Sequence, residues 1–205
     1  MALDIETLVE RCRRARRQDD PARRIADILG EAIADPSDIV EGVRARQAGM
    51  ATAPMAELFL NEDDLTIYQV SFPPQLFGVP HDHAGWAVIG VYAGAEAFNT
   101  YEETPRGLRC TGRQVMRAPD VQILEPALIH DILNPFAETS GSIHVYSNRH
   151  FDLPGRRIWR SEEAAPEPFS VKRSSAYGME LSGRRRAELG LEPPLAPTLP
   201  DLPGG

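Results

Sequence analysis

The sequence has few of the features that mark secreted, membrane or nucleic-acid-binding proteins. Its 205 residues include only two cysteines, Cys12 and Cys110, which lie far apart and indicate no disulfide framework. No run of about eighteen apolar residues occurs, and the arginine-rich start lacks the apolar segment of a signal peptide. The formal net charge of -8 argues against nucleic-acid or membrane-surface partners held through phosphate contacts. We therefore expect a cytoplasmic protein that acts on a small molecule.

The first part of the chain carries helical patterns. Residues 1–48 contain apolar stripes at helical spacing and predict an N-terminal helical segment that covers one face of a sheet. Asp20 is a predicted helix cap with Pro21 at the first helical position, and the Asp35-Pro36-Ser37 break predicts a short third helix. The stripe residues are Ile5, Leu8, Val9, Cys12, Ile25, Ile28, Leu29 and Ile33.

After residue 48 the sequence pattern changes to short β-like runs separated by turn residues. We expect residues 49–165 to form one barrel, because several short strands at this spacing predict a sandwich or barrel. Residues 166–205 are polar with a proline-rich end, which predicts an extended arm or a disordered tail. The predicted strands include Leu65 to Phe72, Trp86 to Tyr92, Val121 to Leu124 and Ser142 to Tyr146.

Three histidines have the spacing of a metal site. Residues two apart on a strand point to the same face, so His81 and His83 can both place an imidazole on one ion. His130, far downstream, suits a facing strand that closes a three-histidine facial site with open positions. The alternative is that the pair arises by chance among the five histidines of the chain, as buried structural side chains.

A second motif lies further along the chain. Ser142, His144 and Tyr146 follow one another at a two-residue period, so one face of a strand carries all three. A hydroxyl, an imidazole and a phenol in this order are typical of a proton relay beside a metal. Tyr146 alone would be an ordinary strand aromatic, and its neighbours favour the relay.

Together these motifs resemble the cysteine dioxygenase family, the thiol dioxygenase branch of the cupin superfamily, over roughly Leu65 to Arg160. The resemblance implies a mainly β fold, a cupin double-stranded β-helix or jelly-roll barrel, with N-terminal α-helices. It also implies one mononuclear Fe(II) and an enzyme that adds O2 to a thiol to give a sulfinate. The motifs are Pro80-His81-Asp82-His83 with Gly94, His130 with Asn134, and Ser142-x-His144-x-Tyr146.

The same resemblance implies roles for these side chains. His81, His83 and His130 would be the iron ligands, and Tyr146, held by His144 and oriented by Ser142, would lie over the open face. Three neutral imidazoles leave the charge of a divalent ion uncompensated, so such a site favours an anionic thiolate.

Two residue types found in other cupins, a glutamate ligand and a cross-linking cysteine, are absent from the matching positions of this chain. Most cupins place a glutamate ligand where this chain has Ala87 and Val88, and its absence favours the three-histidine thiol dioxygenases. We interpret Glu96 as structural or solvent-facing rather than as a ligand. The animal enzymes carry, at the position of Ala87, a cysteine that cross-links to the tyrosine, so Tyr146 is expected to be unmodified.

The substrate prediction depends on the arginines. Residues 56–65 contain no arginine, whereas the animal enzymes bind the substrate carboxylate with one on the preceding strand. Bacterial relatives that act on 3-mercaptopropionate use an arginine shortly after the Ser-His-Tyr motif, which makes Arg156 and Arg157 the candidates. Either could equally be a surface charge. His150 fits none of the spacings and is interpreted as a surface histidine.

We therefore expect a small thiol acid and O2 as substrates, with 3-mercaptopropionate or a similar compound ahead of cysteine. Two alternatives stay open: a three-histidine cupin acting on a non-thiol substrate such as a diketone, and a non-catalytic cupin that binds a small ligand. The expected assembly is a monomer or a homodimer.

Overall fold

The computed structural model describes residues 3–50, 54–151, 153–191 and 200. It begins with three helices: α1 (Ile5–Arg16), α2 (Pro21–Ala34) and α3 (Ser37–Gln47). The side chain of Asp20 accepts a hydrogen bond from the backbone N–H of Arg23 and caps α2, whose first residue is Pro21. The helical prediction for this segment, including its cap, is confirmed.

Twelve strands follow within the described ranges. The predicted strands are confirmed as β2, β4, β7 and β10, with small shifts at their ends. Between β4 and β5, Gly94 has φ +64° and a Cβ there would lie 2.9 Å from the Thr139 carbonyl, so this turn requires glycine. The strands are β1 (Ala56–Glu62), β2 (Leu65–Phe72), β3 (Leu76–Phe77), β4 (Ala87–Ala93), β5 (Ala95–Thr104), β6 (Gly107–Arg117), β7 (Val121–Leu124), β8 (Ile129–His130), β9 (Leu133–Asn134), β10 (Ser140–Tyr146), β11 (Arg157–Ile158) and β12 (Glu167–Pro168).

The longer strands form two antiparallel sheets. One has the order β1-β2-β10-β4-β7, and the other has the order β3-β9-β5-β6 with β8 also paired to β5. Strands distant in sequence are therefore neighbours, as in a double-sheet jelly roll built from Greek keys. The predicted fold class, a mainly β cupin-type jelly-roll barrel with N-terminal helices, is confirmed.

The five-stranded sheet β1-β2-β10-β4-β7 buries both of its faces. Its outer face, the side turned to α1, α2 and α3, contributes apolar residues such as Ile67, Val88 and Ile143 to a core shared with the helices. Its inner face, the side turned to the second sheet, contributes Tyr68 and Tyr146 to a core between the sheets. Because side chains alternate along a strand, each central strand serves both cores.

The C-terminal part differs from the expected arm or tail, because Val171–Glu188 forms a helix, α4. The Ser182 hydroxyl accepts a hydrogen bond from Phe77 N at 2.9 Å and also contacts Phe77 O, which ties α4 to β3. The proline-rich end from Pro193 to Pro203 lies outside the described residues apart from Pro200. None of the helices within the described ranges is long and apolar enough to cross a membrane.

Candidate metal centre

The backbone brings His81 and His130 face to face. Their main chains form a two-residue bridge, with His81 N donating to His130 O at 2.8 Å and His130 N donating to His81 O at 3.0 Å. His130 also ends β8, which pairs with Thr100 of β5. His83 lies two residues after His81, so its side chain returns to the same side of the chain. Two distant parts of the sequence, residues 81–83 and His130, are thus fixed on one wall of the barrel.

The three imidazoles converge. One ligand nitrogen from each of His81, His83 and His130 lies within 4.8 Å of the other two. The Nε2 atoms of His83 and His130 are 3.1 Å apart, and the ring centroids of the three are separated by 4.8 to 5.1 Å. The structure therefore brings together the three residues that the sequence analysis predicted as ligands.

Burial keeps these rings neutral. His83 and His130 are only 1% and 2% exposed, and burial, followed by the charges of neighbouring histidines, lowers the pKa of both well below 6.5. Burial, then the charge of Arg156, lowers the pKa of His81 to about 4. A neutral imidazole has one nitrogen lone pair to give, which is the form that binds metals.

The donor set fits a divalent metal ion. Metal–nitrogen distances of about 2.1 Å place two donors at right angles about 3 Å apart, close to the His83–His130 separation of 3.1 Å. The Nδ1 atom of His81 lies 3.0 Å from Val79 O and can donate to it, which leaves Nε2 free as a ligand. His83 Nδ1 and His130 Nδ1 find no such partner within the described residues.

No carboxylate joins the cluster in the described part of the chain. Ala87, one of the two positions that the sequence analysis compared with the glutamate ligand of most cupins, is the cross-strand partner of Tyr146. A three-histidine set adds no negative charge to a divalent ion, so the remaining coordination positions favour an anionic ligand.

The Ser-His-Tyr motif forms a continuous hydrogen-bond chain on the inner face of β10. Ser142 Oγ lies 2.9 Å from His144 Nε2, and His144 Nδ1 lies 2.9 Å from Tyr146 Oη. The Tyr146 ring packs edge-on against His83 at a centroid distance of 5.0 Å. The structure thus connects all three residues and places the tyrosine end of the chain against the metal cluster.

Every member of this chain is uncharged near neutral pH. Burial lowers the pKa of His144 to about 3, and burial together with the neighbouring Tyr68 raises the pKa of Tyr146 well above 10. Tyr68, on β2, donates its hydroxyl to Tyr146 Oη at 3.0 Å. The hydrogen-bond chain therefore holds its protons in hydrogen bonds, and its side chains carry no net charge.

His150 corrects a prediction, because it is a buried residue of the site and not a surface histidine. It is 4% exposed, and its ring stacks on Tyr146 at a centroid distance of 3.5 Å. Its backbone N–H donates to Thr66 Oγ1 at 3.0 Å, which turns the chain after β10 back toward the barrel. Two-residue periodicity could not find it, because it lies beyond the end of the strand.

The two candidate arginines have different surroundings. Arg157 Nε pairs with Asp82 Oδ2 at 2.8 Å and its Nη1 with Glu103 Oε2 at 2.8 Å, at the partly exposed end of the site. Arg156 is 2% exposed and donates to the carbonyl oxygens of Asp82 at 3.0 Å and His150 at 2.5 Å. Arg157 already forms ion pairs with two carboxylates, whereas Arg156 forms none within the described residues.

Sequence reasoning also missed Tyr68 and Phe169, and it left open whether Glu96 is structural or solvent-facing. Tyr68 supports Tyr146, and its inward position on β2 follows from the same alternation that predicted the strand. Phe169 lies 6.1 Å from His81 between ring centroids and carries the Arg156 guanidinium 3.6 Å above its ring. Glu96 is 1% exposed, which removes the solvent-facing interpretation. No local pattern marks Phe169, because it follows the two-residue strand β12, which is too short to show a period.

Several solved structures are similar to parts of this chain, at TM-scores below 0.5. No family model and no curated protein matches the chain. An oxalate oxidase structure aligns at TM-score 0.38 and 16% identity over 49% of this chain and 54% of its own. A cupin superfamily protein from Desulfitobacterium hafniense aligns at TM-score 0.35 and 16% identity, over 45% of this chain and 75% of its own. This chain spans about half the length of the oxalate oxidase.

A third solved structure is a Klebsiella pneumoniae protein described as having a double-stranded β-helix domain. It aligns at TM-score 0.36 and 16% identity over 56% of this chain and 83% of its own. The strand order of the two sheets defines the class by itself: a protein of cupin fold. Within that fold, three histidines form a group able to hold a metal ion.

Proposed function

We propose that this protein is a mononuclear Fe(II) thiol dioxygenase-like enzyme. It adds both atoms of O2 to the sulfur of a small thiol carboxylic acid, so that RSH and O2 give RSO2H with no further reductant. One observation carries the proposal: the Ser142-His144-Tyr146 chain ends against a three-histidine cluster that no carboxylate joins among the described residues. The resemblance of these motifs to the cysteine dioxygenase family supports the same chemistry.

The histidine cluster suits a thiolate. When bound, Fe(II) supplies a Lewis acid for the sulfur and the redox chemistry that activates O2. The neutral rings of His81, His83 and His130 contribute no negative charge, so an anionic thiolate is a better partner than a neutral thiol. The partial exposure of His81, beside two buried histidines, marks the side from which a small substrate can enter.

Arg156 is the proposed carboxylate-binding residue. Its Nη2 atom is buried without a hydrogen-bond partner in the described structure, and burial lowers the pKa of this guanidinium below its usual value. A buried cation gains from an anionic partner, and the guanidinium fork matches a carboxylate. Phe169 packs against its face at 3.6 Å, which fixes the plane of the fork.

Tyr146 completes the proposed machinery. Its hydroxyl is held by His144 and Tyr68 and its ring by His150. With its hydroxyl and its ring held in this way, Tyr146 can offer a hydrogen bond to the reacting sulfur or oxygen without first losing rotational freedom.

The direct test is oxygen uptake by the Fe(II)-loaded protein across a panel of thiols. We expect 3-mercaptopropionate and other short thiol acids to stimulate uptake, with the sulfinate detected by mass spectrometry in a one-to-one ratio to O2. A thiol of equal length without the carboxylate should react poorly. Oxygen uptake that no thiol stimulates would refute the proposed activity.

The two arginines provide a matched pair for the substrate prediction. Arg156→Gln should raise KM for a thiol acid about ten- to hundred-fold, since a hydrogen bond to a charged group contributes roughly 1.5–3 kcal/mol. It should leave the KM for a thiol without a carboxylate unchanged. Arg157→Gln, which loses partners at Asp82 and Glu103, should alter neither value. Equal losses for both thiols in Arg156→Gln would show that the residue only supports the fold.

A further inference from the structure

A buried carboxyl group lies beside the Ser142 end of the hydrogen-bond chain of the candidate site. Glu96, on β5, is 1% exposed and accepts a hydrogen bond from Ser140 Oγ to Oε1 at 3.1 Å. The Ser142 hydroxyl also acts on this carboxyl group, because it lowers the pKa of Glu96 more than Ser140 does. Ser140 and Ser142 lie two apart on β10, so both hydroxyls point to the same side as His144. An acidic group thus lies at the end of the chain opposite to the metal cluster.

One proton on Ser142 must serve two neighbours. Ser142 Oγ lies 2.9 Å from His144 Nε2, while the nearby Glu96 Oε2 is buried without a hydrogen-bond partner within the described residues. A serine hydroxyl has a single hydrogen to donate and two lone pairs with which to accept. The proton therefore goes either to His144 or to Glu96, and that choice fixes every hydrogen bond further along.

If Glu96 is a carboxylate, it takes the Ser142 proton. Ser142 Oγ then accepts from His144 Nε2–H, and His144 Nδ1, now without hydrogen, accepts from the Tyr146 hydroxyl. A neutral imidazole carries only one N–H, so no other pattern satisfies the chain. In this state the Tyr146 proton is bound to His144 and is withheld from the cavity beside His83.

If Glu96 is a neutral carboxylic acid, the whole pattern reverses. Its O–H can donate from Oε2 to Ser142 Oγ, and Ser142 then donates to His144 Nε2. The ring carries its hydrogen on Nδ1 and donates to Tyr146 Oη. The Tyr146 hydroxyl is left with its own proton free for a group in the cavity, while its oxygen still accepts from Tyr68.

We propose that Glu96 is a positioning residue that sets the direction of this chain, so that Tyr146 offers a proton toward the histidine cluster only while Glu96 is neutral. The consequence for turnover rests on the proposed thiol dioxygenase activity. The consequence for the His144 tautomer depends only on the described contacts. Glu96 acts through Ser142 and His144 and needs no contact with substrate.

The electrostatics are compatible with a switch near neutral pH. Burial raises the pKa of Glu96 to about 7, against the lowering effect of hydrogen bonds from Ser142 and Ser140. The titratable groups that face it are Tyr92 from β4, Tyr68 from β2, and His144 and Tyr146 from β10. Burial raises the pKa of each tyrosine and lowers that of His144, so all four stay neutral while Glu96 titrates.

The experiment follows the tautomer of His144 by 15N NMR in the full-length protein loaded with diamagnetic Zn(II). In the wild type we expect the hydrogen to move from Nδ1 at pH 5.5 to Nε2 at pH 8.5, with a midpoint near the Glu96 pKa of about 7. Glu96→Gln, whose amide donates as the neutral acid does, should keep the hydrogen on Nδ1 throughout. Glu102→Gln, an exposed carboxylate on the same strand, should titrate like the wild type.

Two results would overturn the proposal: a wild-type tautomer that does not change with pH, or one that changes identically in Glu96→Gln. If Glu96→Gln does not fold, Ser142→Ala gives the same information, because it leaves Glu96 in place and cuts the link. In that variant the His144 tautomer should no longer change with pH. A continued change would contradict the proposed link from Glu96 through Ser142 to His144.

Activity supplies a separate readout on the Fe(II)-loaded enzyme. Wild-type turnover should fall about tenfold per pH unit above the midpoint, as expected for a single ionisation, and Glu96→Gln should lose this limb. A tautomer that responds to Glu96 in a protein that oxidises no thiol would refute the proposed function and leave this inference standing. Turnover of thiols with an unresponsive tautomer would do the reverse.

Discussion

The inner and outer faces of the sheet β1-β2-β10-β4-β7 are formed by the same strands but are stabilised by different interactions. On β10, Ile143 and Val145 point outward and are fully buried against the N-terminal helices. Ser142, His144 and Tyr146 point inward and form a hydrogen-bond chain that reaches the histidine cluster. Seven consecutive residues therefore supply part of a hydrophobic core and part of a candidate active site.

The difference lies in what each face can tolerate. Apolar packing depends on volume and shape, so small changes on the outer face have small, graded costs. A buried polar group that loses its partner costs about 1–3 kcal/mol and alters every hydrogen bond linked to it. The inner face therefore depends on individual atoms, and the outer face depends on the sum of many contacts.

The strongest test of the inner wall of the barrel is His130→Ala. Replacing an outer-shell partner of a metal ligand already costs about 10- to 100-fold in metal affinity, so loss of a direct ligand should weaken Fe(II) binding by more and abolish turnover. Metal content after dialysis, measured by mass spectrometry, and oxygen uptake provide the readouts.

The adjacent Ile129 offers a matched control on the same short strand. It is 5% exposed and belongs to a separate apolar cluster with Trp159. Ile129→Val should cost about 0.5–1.5 kcal/mol of stability and keep full metal content and activity. Full metal content in the His130 variant would show that His130 is not a metal ligand. The polar wall of the barrel would then be as tolerant of substitution as the apolar one.

Tyr146→Phe should have the next largest effect. It deletes one oxygen that His144 and Tyr68 both contact, while the metal-binding nitrogens stay in place. We expect turnover to fall about a hundredfold, the effect of losing one positioned hydrogen-bond donor, with unchanged Fe(II) content.

Tyr68→Phe is the control for this variant. It removes a partner of Tyr146 but leaves the bond between Tyr146 and His144 intact, so the rate should fall by less. Equal losses in the two variants would show that the phenols contribute only through packing, and the inner face would then resemble the outer one.

Local periodicity explains how much of the site could be predicted from the sequence. His81 and His83 were found because alternation alone places two rings on one side of an extended chain. The same rule found the Ser142-to-Tyr146 face. The convergence of His130 on that pair needs the backbone bridge to His81, a long-range pairing for which the sequence offers only the resemblance of its motifs.

The surroundings that were not predicted depend on contacts that no period encodes. His150 lies in a turn after the strand, and the position of Glu96 beside the hydrogen-bond chain depends on the contact of β5 with β10 of the other sheet. Helix α4 has a single buried residue, Ser182, and is fixed to β3 by hydrogen bonds. Without an apolar stripe, its sequence resembles that of a solvated arm.

The smallest expected effect comes from two changes of one heavy atom each, made side by side on β10. Ile143→Val shortens a fully buried outward side chain and should cost about 0.5–1.5 kcal/mol, a fall in Tm of roughly 2–4 °C per kcal/mol for a chain of this size. Its turnover per folded molecule should equal that of the wild type.

Ser142→Ala removes one atom from the opposite side of the same strand, and it should change turnover more than Tm because it interrupts the hydrogen bond to His144. Thermal unfolding and steady-state kinetics on both variants separate the two effects. If Ile143→Val slows turnover as much as Ser142→Ala does, the strand transmits packing changes into the site, and the two faces cannot be treated as independent. If neither variant affects turnover, the hydrogen-bond chain is structural, and the chemistry must depend on the histidine cluster and Tyr146 alone.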